Sequence, residues 1–262
     1  MGSHVPESYI VDVGCASNAM RTMGLRDLFG IPVLFIDPDS AALEQIDAAP
    51  RDIKVAAAIT SFDGEALFHY YQDGTHSLLE TNKVEIHKYI DGHTGQPAKI
   101  EDWTARKSEY VQCFTLRTLI CRFGITSIEF LKIDAQGHDL EVVKSLGEYI
   151  SIVRHIEVEV QLTDFEVYMG ASKLSEIMEF ALGSGFELIH SEYQTHGQEQ
   201  NLIFRNLNSP THPPGRVSTE VLLRVLSETS PKSSWEGQGS TFFQLLRKVA
   251  RRLGLNSFRS SG

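Results

Sequence analysis

Short apolar runs along the chain alternate with segments in which apolar residues recur every three or four positions. The short runs, bounded by turn residues, are typical of buried strands, and the longer period is typical of helices that bury one face. The predicted strands are Tyr9–Val13, Pro32–Ile36, Ile53–Ile59, Ala66–Tyr70, Ile128–Ile133, Ile152–Val160, Phe186–His190 and Asn201–Phe204. This alternation predicts βα units and a largely parallel sheet, with the last two strands as an antiparallel hairpin pair.

Most of the predicted helices end at a glycine, the residue that most readily adopts the left-handed conformation that closes a helix. The first runs through about Phe29, with Met20, Met23 and Leu28 on one side, and Gly30 ends it. Ser40 is placed to cap a short helix. Three further helices are predicted. One carries the apolar stripe Leu116, Leu119, Ile120 and Phe123 and ends at Gly124, and the next begins at about His138, carries Leu140, Val143 and Leu146 and ends at Gly147. The last carries Leu174, Ile177, Met178, Ala181 and Leu182 and ends at Gly183.

Two segments interrupt the alternation. Residues 80–110 are polar and predict an insertion that covers a substrate site, with a short strand at Val84–Ile90. Its Tyr89, Trp103 and His87 are either packing residues of that lid or groups that stack on a ligand. After Asn206 the composition changes to a Pro- and Gly-containing linker followed by two predicted helices, Thr219–Leu226 and Thr241–Leu253. We therefore expect one domain over residues 1–206 and an appended linker and helical tail over residues 207–262.

Composition and charge narrow the class of protein. With 262 residues, of which 42% are apolar, the chain can form one large core. The net charge is −10, and residues 207–262 carry eight Lys and Arg against three Glu, or +5, which leaves −15 for residues 1–206. Such an acidic body disfavours nucleic-acid binding. Cys15, Cys113 and Cys121 show no zinc-ligand spacing, and no apolar run has the length of a membrane span, so we expect reduced thiols and a cytoplasmic location.

The predicted tail helix Thr241–Leu253 is amphipathic. Its apolar face carries Phe242, Leu245, Leu246, Val249 and Leu253, and its other face carries Arg247, Lys248, Arg251 and Arg252. A basic amphipathic helix suits an anionic membrane surface. It equally suits docking on the acidic body of the same chain, and we favour this second interpretation because an apolar stripe usually packs on a core.

Acidic residues stand at or near the ends of several predicted strands. Asp12 with Gly14, Asp37, Asp134 and Glu159 all occupy such positions. In open α/β sheets, ligands bind at the carboxyl ends of the strands where the strand order reverses, and an acid after the second strand accepts ribose hydroxyls. Asp134 and Glu159, on neighbouring strands, could share a proton, a metal ion or a substrate hydroxyl. The competing interpretation of each acid alone is a helix cap.

The motifs at these positions resemble one family. The matching segments are Val11-Asp12-Val13-Gly14, Phe35-Ile36-Asp37-Pro38-Asp39, Gly74-Thr75-His76-Ser77-Leu78, Leu131 to Lys144 and Ile156–Val160. Together they are similar to the FkbM methyltransferase family, over about residues 8–206. The resemblance implies a Rossmann-like class I methyltransferase fold: a mostly parallel seven-stranded sheet with a C-terminal antiparallel hairpin strand. It also implies S-adenosylmethionine as the cofactor. The implied reaction is methylation of a hydroxyl group on a small-molecule or glycan acceptor, namely a sugar, a glycolipid or a polyketide-like compound.

The resemblance also assigns site residues. The cofactor-binding candidates that it implies are Asp12, Gly14, Asn18, Asp37, Ile59, Ser77 and Asp134, and the catalytic candidates are Asp134, His138 and Glu159. His76 is a further candidate base. Two positions depart from the family: Asn18 stands where a second glycine is usual, and Arg117 where Asp is usual. A divalent metal held by Asp134 and Glu159 is a further hypothesis, with two ligands and no third.

Two other classes of function compete with methyl transfer. A nicotinamide oxidoreductase on this fold needs Gly-x-Gly-x-x-Gly after the first strand, whereas Gly14 is the single glycine in residues 14–18. A catalytically silent Rossmann-like binding module, in which the altered first loop no longer binds the cofactor, remains the main alternative. Titration with S-adenosylmethionine distinguishes the silent module from an enzyme.

Overall fold

A computed structural model describes residues 7–16, 19–71, 75–92, 94–209 and 218–229. Its strands are β1 Glu7–Val13, β2 Val33–Ile36, β3 Ile53–Val55, β4 Ala58–Ile59, β5 Gly64–Tyr70, β6 Lys107–Phe114, β7 Ile125–Ile133, β8 His155–Gln161, β9 Phe186–Gln194 and β10 Glu199–Asn206. Its α-helices are α1 Met20–Phe29, α2 Ser40–Gln45, α3 Leu116–Phe123, α4 Asp139–Lys144, α5 Leu174–Gly183 and α6 Thr219–Thr229.

Seven strands form one large sheet in the order β3-β2-β1-β7-β8-β10-β9. The five strands from β3 to β8 are parallel, and β10 runs antiparallel to both β8 and β9. The strand order reverses between β1 and β7, so a crevice opens at their carboxyl ends. The Rossmann-like class I fold and the terminal antiparallel hairpin are thus confirmed. A second sheet of three strands has the order β4-β6-β5.

Helices cover both faces of the large sheet. Strand β2 is accordingly buried at every position, as expected for a parallel strand between two helical layers. On one face, α3, α4 and α5 pack with residues such as Leu119, Val142 and Ile177 in the larger hydrophobic cluster. On the other face, Leu25 of α1 and Leu222 of α6 pack with Phe35 and Phe130 in a second cluster. The strands at whose carboxyl ends the crevice opens are therefore covered by packed helices on both faces.

Several sequence-based expectations about the elements were wrong in detail. The run Ile53–Ile59 divides into β3 and β4, which belong to different sheets. In α1, Met20 and Leu28 are exposed, and the buried residues are Thr22 and Leu25. Helix α2 is capped by Asp39, whose carboxylate accepts from the N–H groups of Ala41 and Ala42, because Ser40 is already the first helical residue.

The segment between Glu80 and Tyr110 contains no strand at Val84–Ile90. Ile86–Lys88 forms a short 3-10 helix, and Tyr89 and Trp103 are buried in an aromatic cluster with Tyr168. The Tyr89 and Trp103 rings meet edge to face, with centroids 5.2 Å apart. These two rings therefore pack the interior of the segment, as the packing alternative expected. The strand predicted from Ile152 begins at His155, because residues 147–152 form a 3-10 helix.

The tail is only partly described. Helix α6 confirms the predicted helix at Thr219–Leu226, whereas the predicted helix Thr241–Leu253 lies outside the described residues. Leu222 and Leu226 of α6 are fully buried, so this first tail helix is part of the core and the expectation of a mere appendage needs correction. No helix within the described ranges is long and apolar enough to cross a membrane.

Candidate active site

Gly14 allows β1 and β7 to meet closely at the point where the strand order reverses. Its N–H donates to the Ile36 carbonyl at 2.9 Å, and its φ of 72° is in the left-handed region. A Cβ at this position would lie 1.8 Å from the Asp134 carbonyl oxygen, far inside any van der Waals contact. Only glycine therefore fits here, both for its conformation and for the space available.

A cavity of about 290 Å³ opens at the carboxyl ends of β1, β2 and β7. The large sheet contributes Gly14, Asp37 and Asp134 to its lining, and the small sheet contributes Ile59 and Phe68. This is the crevice that the reversal of strand order predicts. We call it the first cavity.

Asp37 is the buried charged group of the first cavity. Its Oδ2 accepts from the Ala16 N–H and its Oδ1 from the Asp39 N–H, both at 2.8 Å. Burial raises its pKa to about 6, against the lowering effect of these two hydrogen bonds. A carboxylate has about four acceptor positions, so each oxygen keeps one for a donor in the cavity.

The wall opposite Asp37 comes from the small sheet and the loop that follows β5. Ile59 is buried and lines the first cavity, as do His76 and Leu78. Ser77 lies between these two but is buried behind the wall, where its hydroxyl donates to the Gln136 carbonyl at 2.9 Å and accepts from the Leu79 N–H at 3.0 Å. Ser77 thus joins the loop to the segment after β7.

Asp134 and Glu159 are joined by one amide. The Gln136 Nε2 donates to Asp134 Oδ1 at 2.8 Å and to Glu159 Oε2 at 3.3 Å. Burial, together with the charges of Asp134 and Glu199, raises the pKa of Glu159 well above its usual value. Asp134 lines the first cavity and Glu159 does not. The two predicted catalytic carboxyl groups are therefore neighbours, with Asp134 on the side of the first cavity.

His138 lines the first cavity and precedes α4. Its Nε2 lies 3.0 Å from the hydroxyl oxygen of the buried Thr60. Burial lowers the pKa of His138 below its usual value. Burial therefore favours the neutral imidazole, and the Thr60 hydroxyl is its hydrogen-bond partner.

Asp12 lies outside the first cavity. It is fully buried on the α1 side of the sheet, where it accepts from the Thr22 hydroxyl at 2.5 Å and pairs with Lys132 at 3.5 Å. Asp12, like Ser77, is therefore a cofactor-binding candidate that does not line the first cavity. Asn18 lies outside the described residues.

A second cavity of about 180 Å³ lies between the start of α1 and the ends of β7 and β8. Arg21, Lys132, Glu157 and Asn201 contribute to its lining. Among the described residues, Asp134 is the one that lines both cavities. The two cavities therefore meet at this residue.

The part of the chain that the structure describes contains no group of three or more His, Cys, Asp or Glu side chains placed to hold a metal ion. Asp134 and Glu159 are bridged by the Gln136 amide. The metal hypothesis gains no third ligand from this arrangement.

Sequence reasoning missed Gln136, Thr60 and Phe68 as site residues. Gln136 lies between Asp134 and His138 in the segment most similar to the FkbM family, so its position was a usable signal. Thr60 and Phe68 carried no such signal, because both enter the site through the small sheet and its flanking residues, whose placement over the first cavity is a tertiary property.

A family model described as the methyltransferase FkbM domain matches residues 24–188. A search of curated proteins finds no match. Among solved structures, the crystal structure of TnmH aligns with 13% identity and a TM-score of 0.34, over 78% of this chain and 51% of that one. The chain thus spans about half the length of that structure.

Proposed function

The chain belongs to the FkbM methyltransferase family, and from this premise we propose that it transfers a methyl group from S-adenosylmethionine to a hydroxyl oxygen of a small-molecule or glycan acceptor. The observation that carries the proposal is the buried carboxylate of Asp37, which faces a cavity at the reversal of strand order. Asp37 follows β2 directly, and this position suits an acid that accepts the two ribose hydroxyls of a nucleoside.

The residues of the first cavity fit this cofactor. Asp37 offers a charged acceptor, and Ala58, Ile59 and Phe68 offer an apolar wall against which an adenine ring can pack. Asp134, at the other side of the cavity, is a polar group suited to the methionine portion. A site with an apolar wall and a few placed polar groups is what recognition of a nucleoside requires.

S-adenosylmethionine, when bound, supplies a methyl group on a positively charged sulfur. The protein must then hold the acceptor oxygen in line and remove its proton. We assign proton removal to Asp134, because it is the described residue that lines both cavities. Glu159, with its raised pKa, is suited to retain a proton beside it. The neutral His138 is the second candidate base.

Calorimetric titration with S-adenosylmethionine tests the cofactor assignment. We expect the parent protein to bind, and Asp37→Ala to bind more than tenfold more weakly while its unfolding midpoint stays near the parent value. Asp63→Ala is the matched control, since Asp63 also accepts a backbone N–H, from Thr115 at 2.7 Å, but lies outside both cavities. A parent protein that does not bind the cofactor would instead favour the silent binding module.

Asp134→Asn tests the assignment of the base. We expect this variant to bind S-adenosylmethionine and to lose methyl transfer, because an amide cannot take up the hydroxyl proton. The measurement is transfer of a labelled methyl group to the first acceptor that the parent protein accepts in a screen. Full turnover by Asp134→Asn would move the role of base to His138.

A further inference from the structure

The second cavity differs chemically from the first. Its lining holds three carboxylates, Asp134, Glu157 and Glu159, and two cations, Arg21 and Lys132, for a formal balance of −1. Asn201 and Gln194 add amides, and no aromatic side chain belongs to the lining that the structure describes. Such walls offer hydrogen bonds in place of apolar contact. They suit a polar ligand that carries no net negative charge.

Among the described residues that line the second cavity, Glu157 is the one with a buried side-chain atom that lacks a hydrogen-bond partner. Its side chain is 2% exposed, and its Oε1 receives hydrogen bonds from Arg21 and from the Asn201 amide, the latter at 3.1 Å. Its Oε2 is buried and has no hydrogen-bond partner among the described residues. A buried carboxylate oxygen without a donor is costly, and buried polar groups in folded proteins are otherwise almost always bonded.

The neighbouring cations fix the carboxylates of this cavity in place. Lys132 lies 3.5 Å from Asp12 and 3.6 Å from Asp134, so it holds the carboxylate that the two cavities share. Arg21 pairs with Glu157 and, at 3.4 Å, with Glu192. These ion pairs therefore hold the carboxylates of Asp134 and Glu157 in defined positions.

The strand geometry sets the spacing of these positions. Glu157 and Glu159 are two residues apart on β8, so their side chains lie on one face about 6–7 Å apart along the strand. Gln136 joins Glu159 to Asp134 at the rim. Glu157 thus lies two residues further back along β8 than Glu159, the residue that Gln136 joins to Asp134.

Building on the proposed function, we infer that the second cavity is the acceptor site and that Glu157 determines its specificity. The acceptor presents the hydroxyl to be methylated at Asp134 and a second hydrogen-bond donor, a hydroxyl or an ammonium group, to the Oε2 of Glu157. Polyols and amino-polyols satisfy this requirement. A phenol with a single hydroxyl has only apolar atoms at that position, so it leaves the buried oxygen unpaired and is disfavoured.

The test uses ligand-observed NMR on the full chain with saturating S-adenosylhomocysteine. The probes are four methyl hexopyranosides (gluco, galacto, manno and rhamno), glucosamine, and two phenols that carry a single hydroxyl, phenol and 4-methylphenol. We expect at least one hexose probe to bind and both phenols not to bind. The Glu157→Gln variant keeps an acceptor oxygen for Arg21 and places an amide N–H₂ where Oε2 was. In this variant the Kd of the hexose probe that binds the parent protein should rise at least tenfold. Glu187→Gln, in the Glu187–Arg205 pair outside both cavities, should leave it unchanged.

A second variant does not disturb the buried charges. Met20 lines the second cavity and is 70% exposed, so Met20→Trp should fill the cavity mouth without unfolding the protein. We expect it to abolish hexose binding and to leave S-adenosylhomocysteine binding within twofold. Leu28→Trp, at another exposed position of α1, is the control.

Failure of this inference can be told from failure of the proposed function. Absence of S-adenosylhomocysteine binding in the parent protein contradicts the proposed function itself. If the cofactor product binds, the inference is overturned by phenol binding in place of hexose binding, by no hexose binding at all, or by hexose binding that survives both Glu157→Gln and Met20→Trp. A preference between glucosamine and the neutral hexosides identifies the donor as ammonium or hydroxyl.

Discussion

The carboxyl group of Asp37 is subject to two opposing influences. Burial raises its pKa, and the N–H groups of Ala16 and Asp39 lower it, with a result of about 6. The group is therefore ionised at physiological pH but titrates within an experimentally useful range. An ionised carboxylate accepts hydrogen bonds on both oxygens, whereas a protonated one donates from one of them.

The affinity for S-adenosylmethionine should follow this titration. If the ionised form of Asp37 is the form that binds, the affinity is nearly constant above about pH 7 and falls about tenfold between pH 7 and pH 5. Calorimetric titrations across this range measure it. In Asp37→Asn the affinity should be lower and should no longer change with pH. An equal pH dependence in that variant would assign the effect to another group of the first cavity, such as His138.

At the scale of single residues, the sequence predicts which positions matter better than it predicts where their side chains lie. Asp37 and Asp134 were expected at strand ends and do line the first cavity. Asp12 carried the same signal, yet its side chain is on the α1 side with Thr22 and Lys132. Side chains alternate between the two faces of a strand, so the face that bears a cavity decides the role of an acid. That face is set by tertiary packing.

Among the elements, helix α6 shows how a segment with weak sequence signals joins the core. Leu222 and Leu226 are buried in the second hydrophobic cluster, and the Thr219 hydroxyl lies 3.1 Å from Nε2 of the buried His155. The amphipathic period of this helix was visible in the sequence. Its partner was not, because the linker before it allows docking on any apolar surface within reach.

Truncation separates the contribution of α6 from that of the rest of the tail. A variant that ends at residue 206 loses the burial of Leu222 and Leu226 and should lose several kcal/mol of unfolding free energy, whereas one that ends at residue 229 keeps it. Leu222→Ala should cost about 2–5 kcal/mol. Urea unfolding measures each value. Val221→Ala, on the exposed side of the same helix, is the control. Equal stability of the two truncated variants would show that α6 contributes nothing.

The division of Ile53–Ile59 into β3 and β4 has a local cause that hydrophobic periodicity does not reveal. The Val55 carbonyl accepts from the N–H groups of both Asp37 and Ala57, and the chain turns there from the large sheet to the small one. Residues on both sides of this turn are apolar because both sheets pack on the interior. A continuous apolar run therefore conceals a change of sheet.

The molecule as a whole combines a net charge of −10 with several buried acids near the site. Asp139 is buried beneath the segment after β7, and burial together with the charge of Asp134 raises its pKa to about 7. An acid whose pKa is raised on folding favours the folded state most fully below its unfolded pKa. That contribution is lost as the pH rises through the folded pKa.

Global stability should consequently decline between about pH 5 and pH 7, with a slope of up to about 1.4 kcal/mol per pH unit from Asp139. Urea unfolding at intervals across this range measures the slope. Asp139→Asn should reduce the slope, although it also gives up one of the backbone hydrogen bonds from Ala135 and Gly137. Asp164→Asn, at an exposed position, should leave the slope as it is. A slope unaffected by Asp139→Asn would contradict this assignment.

The first cavity has its floor in the seven-stranded sheet and one wall in the three-stranded sheet. A molecule that fills it is therefore a non-covalent cross-link between two separately hydrogen-bonded networks. Release of such a ligand requires either passage through the cavity mouth or a transient parting of the sheets, and the second route is slower the more firmly the sheets are joined. If release follows the second route, the residence time of the cofactor and the rate of hydrogen exchange in β4 and β5 report the same opening.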